Sequence, residues 1–231
     1  MQQLPLGVRL ADRAVFASYY PGDNLQVLHW LREFAAPGGA GVGVLQGPAG
    51  SGKSHLLQAV CAQLPASGYF PLTELRGLGA GSLEGAETLS CVCIDDLQLA
   101  AGEPAWEAAL FRLYCEIEAR RGRLLLATAL PPAQLGLRLP DLASRLAAAV
   151  IFGLRPLDET QQREALRLRA QQRGLELPEE TALYLQRRFP RDMGSLHRLL
   201  DTLDAASLTE QRRLTLPFIR EVLRSHLPPD E

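Results

Sequence analysis

The chain has 231 residues, 47% hydrophobic and 22% charged, with a formal net charge of −2. That length admits one core, or a core plus a small appended domain, and the balanced charge argues against a protein that grips DNA unaided, because phosphate neutralisation supplies most of such affinity. No apolar run reaches the roughly 18 to 20 residues needed to span a bilayer, and MQQLPLGVRL lacks the charged-then-apolar pattern of a secretion signal, so a cytoplasmic protein with no membrane partner is expected.

Residues 1–14 read as a tail without period. Over 24–36 (NLQVLHWLREFAA), Leu25, Leu28, Leu31 and Phe34 or Ala35 recur at helical spacing behind Asn24, a residue type suited to capping. PGGAG at 37–41 breaks the chain, VGVLQ reads as a short buried strand, and GPAGSGKS then leads into a helix from Lys53 to about Leu64. YFPL (69–72) predicts a second strand, and 73–90 is glycine-rich with room for one short helix. CVCID is an apolar β-type run ending in an acid. A helix from about Pro104 to Arg121 follows, with proline in its first turn and Trp106, Leu110, Leu113 and Ile117 on one face. LLLAT (124–128) and AVIFGL (149–154) are further strands.

Strands alternating with helices predict a parallel, doubly wound α/β sheet. After Pro156 the pattern changes to helical segments near 158–173, 178–188, 192–207 and 217–226, with no convincing strand. The expected organisation is a tail over 1–14, an α/β core over 15–156 and a small all-helical domain over 157–231. Cys61, Cys91, Cys93 and Cys115 form neither a disulfide framework nor the usual zinc spacing. Cys91 and Cys93 instead read as small apolar residues on one strand face.

The 24 basic residues comprise 23 arginines and a single lysine, Lys53. It lies in Gly47-x-x-x-x-Gly52-Lys53-Ser54, which matches the Walker A phosphate loop in full, between a predicted strand and a predicted helix. Glycines there let backbone N–H groups turn inward around a phosphate, and the helix start adds its positive end. Lysine offers a compact, mobile charge between the β- and γ-phosphates, where a planar guanidinium fits less well. Gly47, Ala49, Gly50, Ser51, Gly52, Lys53, Ser54 and His55 are therefore expected to line an ADP or ATP site, with the Ser54 hydroxyl toward Mg²⁺.

Cys91-Val92-Cys93-Ile94-Asp95-Asp96 has the form of Walker B. An apolar strand delivers Asp95 beside the loop, where it can hold Mg²⁺ through water. Asp96 can orient or deprotonate an attacking water, or merely cap the next helix. Thr128, ending its own strand, can sense the γ-phosphate from the same edge.

Walker A, CVCIDD, LLLAT, LPDLASRL (139–146) and PRDMGSLHRLLDTLD, in this order and with a helical C-terminal domain, resemble an AAA+ ATPase of the DnaA branch. FASYYPGDN (16–24), GSGKSHLLQAVCAQL (50–64), LPDLASRL and LTLPFIREVL (214–223) look most like the Hda-type regulators that inactivate the initiator DnaA. The resemblance covers nearly the whole chain. It implies an AAA+ P-loop core with a helical lid, and gives Arg145 the position of the arginine finger that reaches a neighbour's γ-phosphate. It gives Arg191 the sensor 2 position, Thr128 the sensor 1 position, and Phe16, Tyr19 and Gly22 a place in the segment that wraps the adenine, where a plain core role for the aromatics stays open. DnaA carries a helix-turn-helix domain beyond the lid, for which this sequence has no room, so the resemblance implies a module without its DNA-handling parts.

In such proteins a Gln-Leu-Pro-Leu type motif resembles a sliding-clamp-binding peptide. Gln3, Leu4, Pro5 and Leu6 suit that use: a polar rim contact, two apolar anchors and a proline that lowers the ordering cost. The implied partners are DnaA and the β sliding clamp of DNA polymerase III, with DNA reached indirectly through the clamp, and a homodimer or oligomer among the allowed states. The chain's own ATP turnover is expected to be weak or absent. The alternatives are a DNA-binding helicase loader of the same superfamily, disfavoured by balanced charge and 6% aromatics, and a small-molecule P-loop kinase.

Overall fold

The computed structural model describes residues 14–188, 193–210 and 215–226. The chain divides into two compact units, Met1–Pro156 and Leu157–Glu231.

The first unit is built on strands β1 (Gly41–Gln46), β2 (Ser67–Pro71), β3 (Cys91–Asp95), β4 (Arg123–Thr128) and β5 (Val150–Gly153), joined through helices α1 (Leu25–Phe34), α2 (Lys53–Gln63), α3 (Leu72–Leu75), α4 (Pro104–Ala119) and α5 (Pro140–Ala148). The strands form one sheet in the order β2-β3-β4-β1-β5, and every paired neighbour is parallel. Parallel strands need crossover connections, and those put helices on both faces. The alternation of side chains is what divides the core. Val44, Val92, Ile94, Leu124 and Leu126 pack with Trp106, Leu110, Leu113 and Ile117 of α4 and Leu142 and Leu146 of α5. Leu45, Cys91, Cys93, Leu125 and Ala127 pack on the other face with Leu28, Leu31 and Phe34 of α1 and Leu56, Leu57 and Val60 of α2. Each residue step along a strand swaps faces.

Two expectations are refined. The glycine-rich stretch after β2 holds α3 and three short 3-10 turns, Arg76–Leu78, Ala80–Leu83 and Ala86–Thr88, anchored by buried Leu75, Leu83 and Ala86. Asn24 precedes α1 but its side chain caps nothing. Its amide donates to the Arg155 carbonyl at 2.9 Å and accepts from the Arg155 N–H at 2.8 Å, so it ties the start of α1 to the chain leaving β5. A buried amide finds two backbone partners there, which outweighs a single cap bond.

The second unit contains α6 (Glu159–Gln172), α7 (Glu179–Arg188), α8 (Met193–Glu210) and α9 (Leu216–His226). Asp158 opens α6 with a capping box, accepting from the Gln161 N–H at 2.8 Å while the Gln161 side chain accepts from the Asp158 N–H at 3.1 Å. Leu166, Ala170, Leu185, Leu200, Leu203, Phe218 and Ile219 supply its buried apolar residues. No helix among the described residues is long and apolar enough to cross a membrane.

Candidate nucleotide site

The strand order puts β4 between β1 and β3, so three chain segments leave the same edge of the sheet side by side. Gln46 pairs with Thr128, Ile94 pairs with Leu126, and the Gly47 N–H donates to the Thr128 carbonyl at 3.2 Å. The glycine loop after β1, Thr128 at the end of β4 and the Asp95–Asp96 pair after β3 thus share one rim. This is the carboxyl end of the strands, where open α/β sheets bind ligands.

Within the loop, Gly50 and Gly52 have φ of +77° and +91°, a region that glycine enters without the steric cost a side chain brings. A Cβ on Gly52 would also stand 2.7 Å from Cε2 of Tyr19. Lys53 begins α2 and folds back into the loop, its Nζ donating to the carbonyls of Gly47 at 2.7 Å and Pro48 at 2.8 Å. It is 8% exposed. Burial pushes its ammonium down from the ordinary lysine value, opposed by the charges of Asp95 and Asp96. Pro48, Ala49, Gly50 and Ser54 are exposed at the mouth of the loop.

Asp95 is 2% exposed. Its Oδ1 accepts from the Asp96 N–H at 3.0 Å and its Oδ2 from the Tyr69 hydroxyl at 2.7 Å. Burial, then the Asp95 charge, pushes the Tyr69 phenol well above its ordinary value, and Ser54 and Gln58 approach the same hydroxyl and oppose the shift. Asp96 adopts φ +58° and accepts from the Gln98 side-chain amide at 3.0 Å, while Gln98 accepts from the Ala129 N–H at 3.0 Å. This bridge ties the turn after β3 to the turn after β4. Thr128 is fully buried, its hydroxyl accepting from the Leu130 N–H at 3.2 Å.

The groups present suit a nucleotide with magnesium. The buried Ser51 hydroxyl has no hydrogen-bond partner among the described residues, an arrangement that otherwise costs free energy. The buried Lys53 charge faces two carboxylates, and first-turn N–H groups of a helix have no partner inside it. A phosphate would give the ammonium a directly bonded anion in place of the two loop carbonyls, and Ser54 with Asp95 are the oxygen donors a hard cation takes.

The segment before α1 covers the loop from one side. Tyr19 is buried against Gly52, its ring 5.5 Å from that of His55. Burial pushes its phenol up to about 12 against a hydrogen bond with Asn24. His55 Nε2 contacts the Val15 carbonyl at 3.0 Å and the Ser18 hydroxyl at 3.4 Å, so its side chain secures this segment. Phe16 packs against the same core, and Gly22 starts a short 3-10 turn with φ +49°.

Arg145 does not join the rim. It lies near the end of α5, where its Nη1 donates to the Glu118 carboxylate and its guanidinium sits 5.6 Å from the Phe111 ring centroid and 5.3 Å from that of Tyr114. These partners belong to α4, on the face of the sheet opposite α2. Arg191 and the Gln3-Leu4-Pro5-Leu6 peptide lie outside the described residues.

Several groups at the rim or around Arg145 and α5 carry no sequence signal: Tyr69, Gln98, Glu118, and Glu107, which is buried beneath the turn that starts α5 and accepts from the Arg138 N–H at 2.9 Å and the Leu139 N–H at 2.7 Å. Each acts on a residue remote in sequence, so no spacing rule could have found it.

Residues 158–223 match the family model for the lid domain of Hda. Domain III of the Thermotoga maritima replication initiation protein DnaA aligns with 96% of this chain and 100% of its own, at 21% identity and a TM-score of 0.73. AMPPCP-bound DnaA from Aquifex aeolicus aligns at 18% identity and a TM-score of 0.69, covering 92% of this chain and 70% of its own. The Thermotoga maritima RuvB Holliday junction branch migration motor is more distant, with 17% identity, a TM-score of 0.57, and 91% and 73% coverage. At these identities the structural likenesses show the fold alone, a P-loop α/β core with a helical domain after it, and the family match is confined to residues 158–223.

Proposed function

We propose that this chain, an AAA+ protein related to Hda and DnaA, restrains replication initiation by acting on DnaA itself. Held on the DNA-loaded β sliding clamp through Gln3, Leu4, Pro5 and Leu6, it presents Arg145 to the ATP bound on DnaA. Hydrolysis there leaves the initiator in its ADP form.

The observation that carries this reading is the position of Arg145. Its guanidinium is held on α4, which covers the face of the sheet opposite α2, with Phe111, Tyr114 and Glu118 as partners. An arginine so placed is suited to serving a nucleotide on another molecule, where charge developing on the transferred phosphoryl group is stabilised by a cation supplied in trans.

In this reading the chain's own site binds ADP or ATP and fixes the conformation that displays Arg145. The loop from Gly47 to Gly52 wraps the phosphates with its N–H groups, Lys53 turns from the loop carbonyls toward them, and Ser51 gains the partner it lacks. Magnesium, when bound with the nucleotide, supplies charge neutralisation between the phosphates, and Ser54 and Asp95 are the residues that would hold it. Asp96 orients water, Thr128 senses the far phosphate, and Phe16, Tyr19 and Gly22 border the base. The direct test adds the protein to ATP-loaded DnaA with clamp on DNA. Accelerated conversion of bound ATP to ADP supports the reading, and decay at DnaA's intrinsic rate with all components present rejects it.

A further inference from the structure

Each oxygen of Asp95 already accepts one hydrogen bond. Oδ1 accepts from the Asp96 N–H at 3.0 Å, which follows from the turn after β3, and Oδ2 accepts from Tyr69 at 2.7 Å. The sheet register explains how Tyr69 arrives. Tyr69 pairs with Cys93, so it shares a face with Cys93 and, two residues on, with Asp95. That face is covered by α2, which brings Ser54 and Gln58 against the same phenol.

A phenol has one proton to donate, and here a buried carboxylate takes it. An aspartate that serves a hydrated divalent cation accepts from the cation's water with those same oxygens, and Asp95, 2% exposed, has little open surface beyond the bonds it already makes. Hydrogen bonds to an ionised acceptor are the strong ones, so the phenol is a real competitor. We propose that Tyr69 is a positioning residue that competes with metal-bound water for Asp95, so that it weakens this carboxylate's hold on the cation and lowers the metal's contribution to nucleotide affinity. The inference rests on the nucleotide reading above and adds to it the residue that sets the metal dependence.

The test is calorimetric titration of ADP into the full chain, with magnesium and with EDTA in its place, reading the ratio of the two dissociation constants. The unmutated chain is expected to show a small ratio. Tyr69→Phe, which keeps the ring and removes the hydroxyl that meets Asp95, Ser54 and Gln58, should raise the metal's contribution roughly tenfold. In an Asp95→Asn background the same substitution should change nothing, because Tyr69 acts through Asp95. A ratio that stays fixed or falls in Tyr69→Phe overturns the proposal, as does a gain that persists with Asn at position 95. Should the phenylalanine variant not fold, Tyr69→Leu also lacks the hydroxyl and reads the same ratio. A folded, unmutated chain that binds neither ADP nor ATP overturns the nucleotide reading and this inference together, whereas binding with an unmoved ratio overturns the inference alone.

Discussion

Arg145 and Glu118 are paired in cis. The guanidinium of α5 meets a carboxylate of α4, the helix before it, with the rings of Phe111 and Tyr114 beneath it. An arginine that must reach another molecule has to leave this carboxylate first. Solvent-exposed pairs are weak, so the restraint is small and reversible. Glu118→Gln should keep the aromatic seat, release the charge and speed loss of DnaA-bound ATP by roughly two- to fivefold. A slower or unchanged rate would mean that Glu118 aims Arg145, or is indifferent to it.

Glu107 fixes the turn from which α5 departs. Burial pushes its carboxyl up, but N–H donors from Arg138, Gly102 and Leu139, with the Arg138 charge, outweigh that and hold it below the ordinary 4.5. A depressed carboxylate contributes stability above its unfolded value that is lost as pH falls through its folded one. Glu107→Gln should therefore cost about 1–3 kcal/mol at pH 7, and the gap to the unmutated chain should close below about pH 4.5. Denaturant melts at the two pH values measure it; a gap independent of pH would exclude the ionised carboxylate as its source.

Gly52→Ala tests the phosphate loop without touching a charge. The new Cβ would sit at φ +91° and 2.7 Å from Tyr19 Cε2, a cost of about 1–3 kcal/mol that can be relieved by moving either the loop or the Tyr19 segment. The account expects a lower melting midpoint and at least about tenfold weaker ADP binding, equivalent to roughly 1.4 kcal/mol. Lys53→Ala should weaken binding as much or more. Calorimetry that finds ADP affinity intact in both would remove the loop from the nucleotide site.

The proposed clamp contact is tested by itself. Deleting residues 1–6 should abolish association with the β clamp and spare ADP binding, read by pull-down and calorimetry on the same preparation. A truncated chain that is still retained on the clamp would retire Gln3, Leu4, Pro5 and Leu6 as the contact.

The sheet and its loop were legible because their signals are local. Apolar β-type runs gave the strands, helical spacing gave α1 and α4, and Gly47 to Ser54 announced itself by residue type and spacing. The three segments at the rim could be expected together once β4 lay between β1 and β3, which strand order decides and sequence does not state. Asn24 misled because capping is a local preference that a tertiary partner, Arg155, overrode. Tyr69 and Glu118 were invisible for the same kind of reason. Each is defined by one atom meeting another from a distant segment, and neither stands in a motif.

The central claim is that Arg145 does its chemistry on DnaA's nucleotide. It is tested most directly by following radiolabelled ATP on DnaA in the presence of clamp, DNA and either the unmutated chain or Arg145→Ala, with ADP binding by the variant checked alongside. The account predicts that the variant keeps its own nucleotide and its clamp association while the decay falls back toward the rate of DnaA alone. Decay as fast with Arg145→Ala as with the unmutated chain would contradict it.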